Sequence, residues 1–257
     1  MDRGESMLAR HADKGKWEIN EEELKSVLPA DQAEMVMSAL QANMGDKKEI
    51  ALKLDGVKRA LKLGEEVYKS LPREAFLFII NSGKERAQLT SDLAAERINQ
   101  LVGQHNDKAN TKNKRRIDMA QVIDKDLVKL LADSDDSTWG PYGKMVEEGM
   151  SEPAAIARWL NDMNAPGSAV PANVHPKESS ERYRTLIKIL KGFNKEPGME
   201  NNKLPISVLG VGHSGSLGQV RYESKSEQFG AEDVPDFGEI HIFSGQGDLL
   251  ATKKVAI

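Results

Sequence analysis

Three short apolar runs separated by amphipathic segments restrict the fold of this chain more than any other feature. The runs fall within residues 5–10, 75–80 and 206–211, and the second is rich in the β-branched and aromatic side chains that favour a buried strand. Over residues 56–71, apolar side chains recur at intervals of three and four, which predicts a helix with one buried face that ends before Pro72. Strands that alternate with helices predict an α/β fold with a mainly parallel sheet.

The same patterns predict the remaining elements in outline. Ser82, followed three positions later by Glu85, is typical of a capping box that starts a helix. The polar, basic stretch over residues 103–116 predicts a solvated surface loop rather than a nucleic-acid site, because it lacks interleaved aromatic side chains. Further elements are expected as helices within 21–44, 125–132, 142–149, 152–162 and 183–193, a strand over 119–123, and a closing hairpin over 238–243 and 248–255.

The composition limits the chemistry that the chain can perform. Because there is no cysteine among the 257 residues, disulfides, thiolate catalysis and cysteine-ligated metals are excluded. The formal net charge of -4 is small, so any attraction for phosphate has to be local. No apolar stretch approaches the length of a membrane span, and residues 1–6 lack the pattern of a signal peptide. We therefore predict a cytoplasmic protein with no membrane partner.

Chemically active side chains follow each of the three predicted strands. Arg10 and His11 follow the first, Arg86 follows the second and His213 follows the third. Because ligands of an open α/β sheet bind beyond the carboxyl ends of its strands, we expect these four side chains at one rim. Arginine offers a planar fork and a permanent charge for phosphate oxygens, and a histidine nitrogen can attack phosphorus and carry the phosphoryl group. The sequence therefore predicts a phosphoryl pocket, which still needs a carboxylic acid to protonate the leaving oxygen.

The motifs around these residues resemble those of the histidine phosphatase superfamily, whose fold is phosphoglycerate-mutase-like. Four motifs carry the resemblance in the family's order: Arg10-His11-Ala12, the spacing of Gly56, Ala60 and Gly64, Ser82 with Arg86, Ala87 and Thr90, and Gly212-His213-Ser214-Gly215. Ala12 departs from the pattern, since it replaces the usual glycine. The resemblance implies a single three-layer α/β/α domain over residues 1–257, with helical insertions or cap elements over the pocket within 14–50 and 103–180.

The resemblance also implies roles for individual side chains. His11 would accept the phosphoryl group, and Arg10, Arg86 and His213 would bind phosphate. No metal and no cofactor is expected, because the arginines and His213 supply the positive charge. The implied reaction is that of a metal-independent phosphomonoester hydrolase, which forms a phosphohistidine intermediate from a small phosphorylated substrate or a phosphoprotein. Two alternatives stay open: a phosphoryl-binding or protein-interaction module with little or no turnover, and a phosphoglycerate-type mutase.

The proton donor of such a reaction is the least constrained residue. In the family it is acidic and lies in a Leu-x-Glu…Gly-x-Trp-x-Gly setting, to which Leu131-Ala132-Asp133 ahead of Trp139-Gly140 is similar. Asp133 is the first choice, and the alternatives are Asp135, Asp136, Glu147 and Glu148. Other polar residues are interpreted as structural: Trp17 and Asn20 as local packing and a helix cap, and His105, His175 and His241 as incidental, because no pair of them has metal-ligand spacing.

Overall fold

Six strands form a central sheet in the computed structural model, which describes residues 6–44, 48–131, 136–168, 175–192, 204–225, 228–244 and 248–257. The strands described are β1 (Ser6–Arg10), β2 (Lys14–Glu18), β3 (Glu49–Leu52), β4 (Glu74–Asn81), β5 (Arg116–Gln121), β6 (Ile206–Gly212), β7 (Ile240–Phe243) and β8 (Leu249–Lys253). The sheet runs in the order β5-β4-β6-β1-β7-β8. Its first four strands are parallel, and β7 and β8 form the predicted antiparallel hairpin. β2 and β3 form a separate antiparallel ribbon.

Helices cover both faces of the sheet. Those in the described ranges are α1 (Glu21–Val27), α2 (Ala30–Met44), α3 (Leu54–Ser70), α4 (Glu85–Lys108), α5 (Lys125–Leu131), α6 (Asp136–Glu147), α7 (Glu152–Asn164), α8 (Pro176–Gly192) and α9 (Ser214–Ser224). α3 and α4 pack on the face that carries Met7, whereas α5, α8 and α9 pack on the opposite face, which carries Leu8. The predicted three-layer α/β/α arrangement is therefore confirmed. Among the helices whose residues are described, none combines the length and the apolar character that crossing a membrane requires.

The two halves of the core follow from the alternation of side chains along the buried strands. In β4, Leu77 and Ile79 join the apolar cluster under α3 and α4, while Ile80 joins the cluster under α5, α8 and α9. In β6, Leu209 and Val208 divide between the two clusters in the same way. Because both faces of β6 are covered, all of its residues are buried. This two-sided burial explains why the interior strands are continuous apolar runs in the sequence.

Two glycines of the predicted motif are required by close contacts of α3. A Cβ atom at Gly64 would stand 2.5 Å from the carbonyl oxygen of Ala94 on α4. A Cβ atom at Gly56 would stand 2.6 Å from the carbonyl oxygen of Asp13, two residues after His11. Both distances are shorter than a side chain tolerates, so α3 packs directly against backbone at these points. The motif spacing therefore fixes the position of the segment that carries His11.

The elements β2, α1, α2 and β3 form a unit beside α3 and α4. The β2–β3 ribbon, α1 and α2 share an apolar cluster with side chains of α3 and α4, and Trp17 lies within it. Asn20 caps α1 by accepting a hydrogen bond from the backbone N–H of Glu23, and Trp17 Nε1 donates to Glu23 Oε2 at 2.7 Å. The interpretation of Trp17 and Asn20 as local packing and a helix cap is confirmed.

The structure corrects the surface loop predicted over residues 103–116. α4 continues to Lys108, and a 3-10 turn at Thr111–Asn113 precedes β5. The side chain of Asn106 accepts from the Arg115 N–H at 2.7 Å and donates to the Arg115 carbonyl at 2.9 Å. This contact connects the end of α4 to the start of β5. It cannot be predicted from the distribution of polar residues along the sequence.

The predicted capping box is also wrong. α4 begins at Glu85, and no side chain caps its first turn, because Ser82 contacts a histidine of the candidate site instead. The sequence pattern further fails to predict α9. This helix contains Gly215 and Gly218 and is buried over its first seven residues, so it shows no alternation of polar and apolar faces.

Candidate active site

The ends of β1, β4 and β6 meet at one rim of the sheet and hold the segments that follow them together. Arg10 ends β1 opposite Gly212 of β6. One residue further, the backbone N–H of His11 donates to the Gly212 carbonyl at 3.0 Å. Beyond β4, the N–H of Ser82 donates to the carbonyl of Val211 at 3.1 Å. These backbone bonds continue the parallel pairing past the strands and bring the three predicted site segments to one place.

Arg86 joins the two histidines at this rim. Its Nε donates to His11 Nε2 at 3.0 Å, and its second terminal nitrogen (NH2) lies 3.1 Å from His213 Nδ1. The two imidazole rings are 5.1 Å apart between centroids and meet edge to face. The structure thus brings His11, His213 and Arg86 into one cluster from positions in the chain separated by up to 202 residues (213 − 11).

The protonation state of His11 follows from its partners. Its Nδ1 lies 2.7 Å from the carbonyl oxygen of Ala12, which can only accept, so Nδ1 carries the proton. Its Nε2 accepts from Arg86 and therefore carries the lone pair. Burial lowers the pKa of His11 to about 2, and the neighbouring His213 and arginines act in the same direction. The neutral tautomer with an unprotonated Nε2 is the form that can attack phosphorus.

His213 stands where β6 passes into α9. Its Nε2 lies 2.7 Å from Ser82 Oγ, and both side chains are buried. His213 also occupies the N-cap position of α9, and Lys84 occupies that of α4, with no side-chain cap in either helix. Two helix N-termini, each with a partial positive charge, are therefore directed at the rim, which favours an anion there.

Arg10 is held on three sides. One terminal nitrogen of its guanidinium donates to the Pro235 carbonyl at 2.8 Å, and the other donates to Glu152 Oε1 at 3.1 Å. Its planar face lies over the ring of Phe237, 3.8 Å from the centroid. The same ring is 5.8 Å from that of His11 between centroids. Burial lowers the pKa of Arg10 from its ordinary value, although the charge of Glu152 opposes this.

The departure at Ala12 is accommodated by packing. Its N–H donates to Thr90 Oγ1 at 3.0 Å, and Thr90 in turn donates to the carbonyl of Arg86 at 2.7 Å. The residue is fully buried and belongs to the apolar cluster that also contains Trp17 and Leu24. Ala12 and Thr90 therefore connect the segment carrying His11 to the first turn of α4.

Of the predicted proton donors, the structure describes the side chains of Glu147 and Glu148 alone. Asp133 and Asp135 lie outside the described residues, and the side chain of Asp136 lies outside them too. Glu147 and Glu148 are described and exposed, at and just beyond the end of α6.

Sequence reasoning missed three side chains around Arg10: Tyr142, Glu152 and Phe237. Tyr142 Oη donates to Glu152 Oε1 at 3.1 Å, so the two act as one unit. Glu152 and Phe237 stand beside a proline and a glycine, in Ser151-Glu152-Pro153 and Asp236-Phe237-Gly238, which are signals of a helix start and a turn. Those signals locate the backbone but give no indication that the side chains meet Arg10.

The three remaining histidines lie apart from the cluster. His241 is fully buried beside Glu239, His175 contacts the carbonyl of Met163, and His105 is exposed on α4. In the parts of the chain that the structure describes, no group of three or more histidine and acidic side chains is arranged to hold a metal ion.

No family model and no curated protein matches the sequence. Several solved structures are similar to it. A protein from an open reading frame of Mycobacterium tuberculosis is 13% identical, with a TM-score of 0.44 and coverage of 98% of this chain and 96% of that one. A mycobacterial glucosyl-3-phosphoglycerate phosphatase in complex with VO3 is 13% identical (TM-score 0.42; 96% and 95% covered), and a phosphoglycerate mutase from Bacillus anthracis is 16% identical (TM-score 0.37; 97% and 92% covered). Phosphatase and phosphoglycerate mutase structures are thus among those to which this chain is similar.

Proposed function

We propose that this protein is a phosphomonoester hydrolase that acts through a phosphohistidine on His11 and does not need a metal ion. The observation that carries the proposal is the contact of one guanidinium, that of Arg86, with both His11 Nε2 and His213 Nδ1. A tetrahedral anion placed among these groups would meet a nucleophilic nitrogen on one side and positive charge on the others.

The proposed first step is an in-line attack of His11 Nε2 on phosphorus. The N–P bond forms as the bond to the ester oxygen breaks, and that oxygen takes a proton from a carboxylic acid. The hydrogen bond from His11 Nδ1 to the Ala12 carbonyl keeps the ring in the reactive tautomer. Arg10, Arg86 and His213 would stabilise the charge on the non-bridging oxygens.

The second step would hydrolyse the phosphohistidine. Water attacks phosphorus, gives up a proton to the carboxylate formed in the first step, and the N–P bond breaks to release orthophosphate. The resemblance makes Asp133 the first choice for this carboxyl group, with Asp135, Asp136, Glu147 and Glu148 as alternatives. Residues 14–50 and 103–180 are proposed to surround the pocket and select the substrate. Contacts of Tyr142 and Glu152 with the Arg10 side of the rim support the second of these ranges.

The test is turnover of p-nitrophenyl phosphate together with trapping of the intermediate. We expect wild-type protein to release p-nitrophenol and to yield an acid-labile, base-stable phosphoryl adduct after rapid quenching. His11→Ala should lose both signals, while His105→Ala, at an exposed histidine on α4, should keep them. Undiminished turnover in His11→Ala would contradict the proposal. Binding of vanadate by a wild type that turns over no phosphomonoester would favour a phosphoryl-binding module instead.

A further inference from the structure

The carboxyl group of Glu152 lies beside the candidate phosphate pocket and is held in a defined position. Its Oε1 accepts hydrogen bonds from Arg10 and from Tyr142 Oη, both at 3.1 Å. The side chain remains 24% exposed, whereas that of Arg10 is only 4% exposed. Glu152 is therefore anchored on the protein side and still within reach of a bound molecule.

Two other carboxyl groups near His11 in the sequence or the fold, both within the described ranges, are held by other cations. Asp13 pairs with Arg59 at 2.7 Å. Asp236, next to Phe237, pairs with Lys254 at 2.8 Å. By contrast, Glu152 pairs with an arginine that would itself bind the phosphate.

Because Glu152 is paired with Arg10, binding of a phosphorylated substrate would change the protonation state of Glu152. A phosphate dianion that takes up donors of Arg10 weakens the ion pair, and its negative charge favours the protonated form of a neighbouring carboxyl group. Tyr142 stays a neutral hydrogen-bond donor, since burial and Glu152 raise the pKa of its hydroxyl to about 12. The charges of Arg10 and Arg86 lower the pKa of Tyr142 and so oppose part of this shift.

We propose that Glu152 is the general acid and base of the reaction, in place of Asp133. This inference rests on the proposed function. In the first step the Glu152 carboxylic acid gives its proton to the ester oxygen as the P–O bond breaks, leaving an alcohol and a carboxylate. In the second step the carboxylate removes a proton from the attacking water as the N–P bond breaks, which restores the acid.

The test compares two leaving groups in Glu152→Gln. The amide oxygen of glutamine can still accept from Arg10 and Tyr142, but the variant has no proton to give. A nitrophenolate leaves without protonation, whereas the alkoxide of an alkyl phosphate does not. We expect kcat/KM to fall by roughly 10²–10⁴-fold for an alkyl phosphate and much less for p-nitrophenyl phosphate. kcat/KM is the right quantity because it reports only the steps up to the first phosphoryl transfer.

A second readout follows from the hydrolysis step. Without the carboxylate base, Glu152→Gln should accumulate phosphohistidine from p-nitrophenyl phosphate, an effect that a purely structural role would not produce. Glu152→Asp, which keeps an acid, should recover part of the alkyl phosphate activity. Glu181→Gln, at an exposed position on α8, is the matched control and should keep the wild-type ratio of the two kcat/KM values.

Three outcomes would overturn the assignment. Equal losses for both substrates in Glu152→Gln would make Glu152 a positioning residue for Arg10, and unchanged values would remove it from the site. A loss selective for alkyl phosphate in Asp133→Asn, with none in Glu152→Gln, would return the role to Asp133. In each case wild-type phosphohistidine would still form. Its absence, or activity in His11→Ala, would instead refute the hydrolase proposal itself, and the assignment of Glu152 with it.

Discussion

The buried, neutral state of His11 makes the stability of this protein depend on pH. In the folded protein the pKa of His11 is about 2, while an unfolded chain has the ordinary histidine value of about 6.5. Below pH 6.5 the unfolded state therefore binds a proton that the folded state does not. The free energy of unfolding must then fall as the pH falls, by about 1.4 kcal/mol per pH unit once the unfolded histidine is fully protonated.

The size of the effect can be worked out for a practical range. Between pH 8 and pH 5, protonation of the unfolded histidine lowers the free energy of unfolding by about 2 kcal/mol. This figure depends little on the folded-state pKa, provided that it lies well below 5. His11 is 3% exposed, so solvent screening does not reduce it much.

The measurement is urea denaturation of wild type and His11→Asn at pH 8, 7, 6 and 5, followed by circular dichroism. We expect wild type to lose about 2 kcal/mol more than the variant between pH 8 and 5. His241→Asn provides an independent comparison, because burial also lowers the pKa of His241, and it should flatten the pH dependence in the same direction. Parallel curves for wild type and His11→Asn would show that His11 is already protonated or hydrated in the folded state, which would refute the reasoning.

Two further predictions concern helix packing and the arginine at the centre of the site. Gly64→Ala should destabilise the protein by about 1–3 kcal/mol, because the added methyl group meets the Ala94 carbonyl. Gly103→Ala lies on α4 with open space around it and should stabilise the protein by up to about 1 kcal/mol. If thermal melting shows that both substitutions change the stability in the same direction, the close contact at Gly64 is contradicted. Arg86→Lys keeps the charge but loses the planar guanidinium whose two nitrogens contact the two imidazoles, so kcat/KM for p-nitrophenyl phosphate should fall by roughly tenfold to a hundredfold. If a steady-state assay finds the wild-type kcat/KM in Arg86→Lys, the contacts of the guanidinium with both histidines are not needed for activity.

The elements that sequence patterns predict well are those whose burial leaves either a period or a short apolar run in the sequence. α3 shows one apolar face and ends before Pro72, whereas β4 and β6 are covered on both sides and can be recognised as short, continuous apolar runs. The β2–β3 ribbon and α9 lack such a period. In α9 the first seven residues are all buried, so its amphipathic signal vanishes even though the helix forms.

The residues of the candidate site also differ in how well the sequence predicts them. His11, Arg86 and His213 can be picked out from the sequence because each follows a strand, and the parallel sheet sends all strand ends to one rim. The role of Ser82 cannot be predicted from the sequence in the same way. Its hydroxyl could cap the following helix or contact His213, and only the tertiary structure selects the contact with His213.

By itself, then, the amino-acid sequence determined the alternation of strands and helices, the strand ends that carry the reactive side chains, and the glycines at the close contacts of α3. Only the tertiary structure decided what surrounds Arg10. Its contacts come from Glu152 and from Pro235, which lie 142 and 225 residues further along the chain. No local propensity or period encodes contacts over such separations, since they arise from the packing of whole helices and loops on the finished sheet.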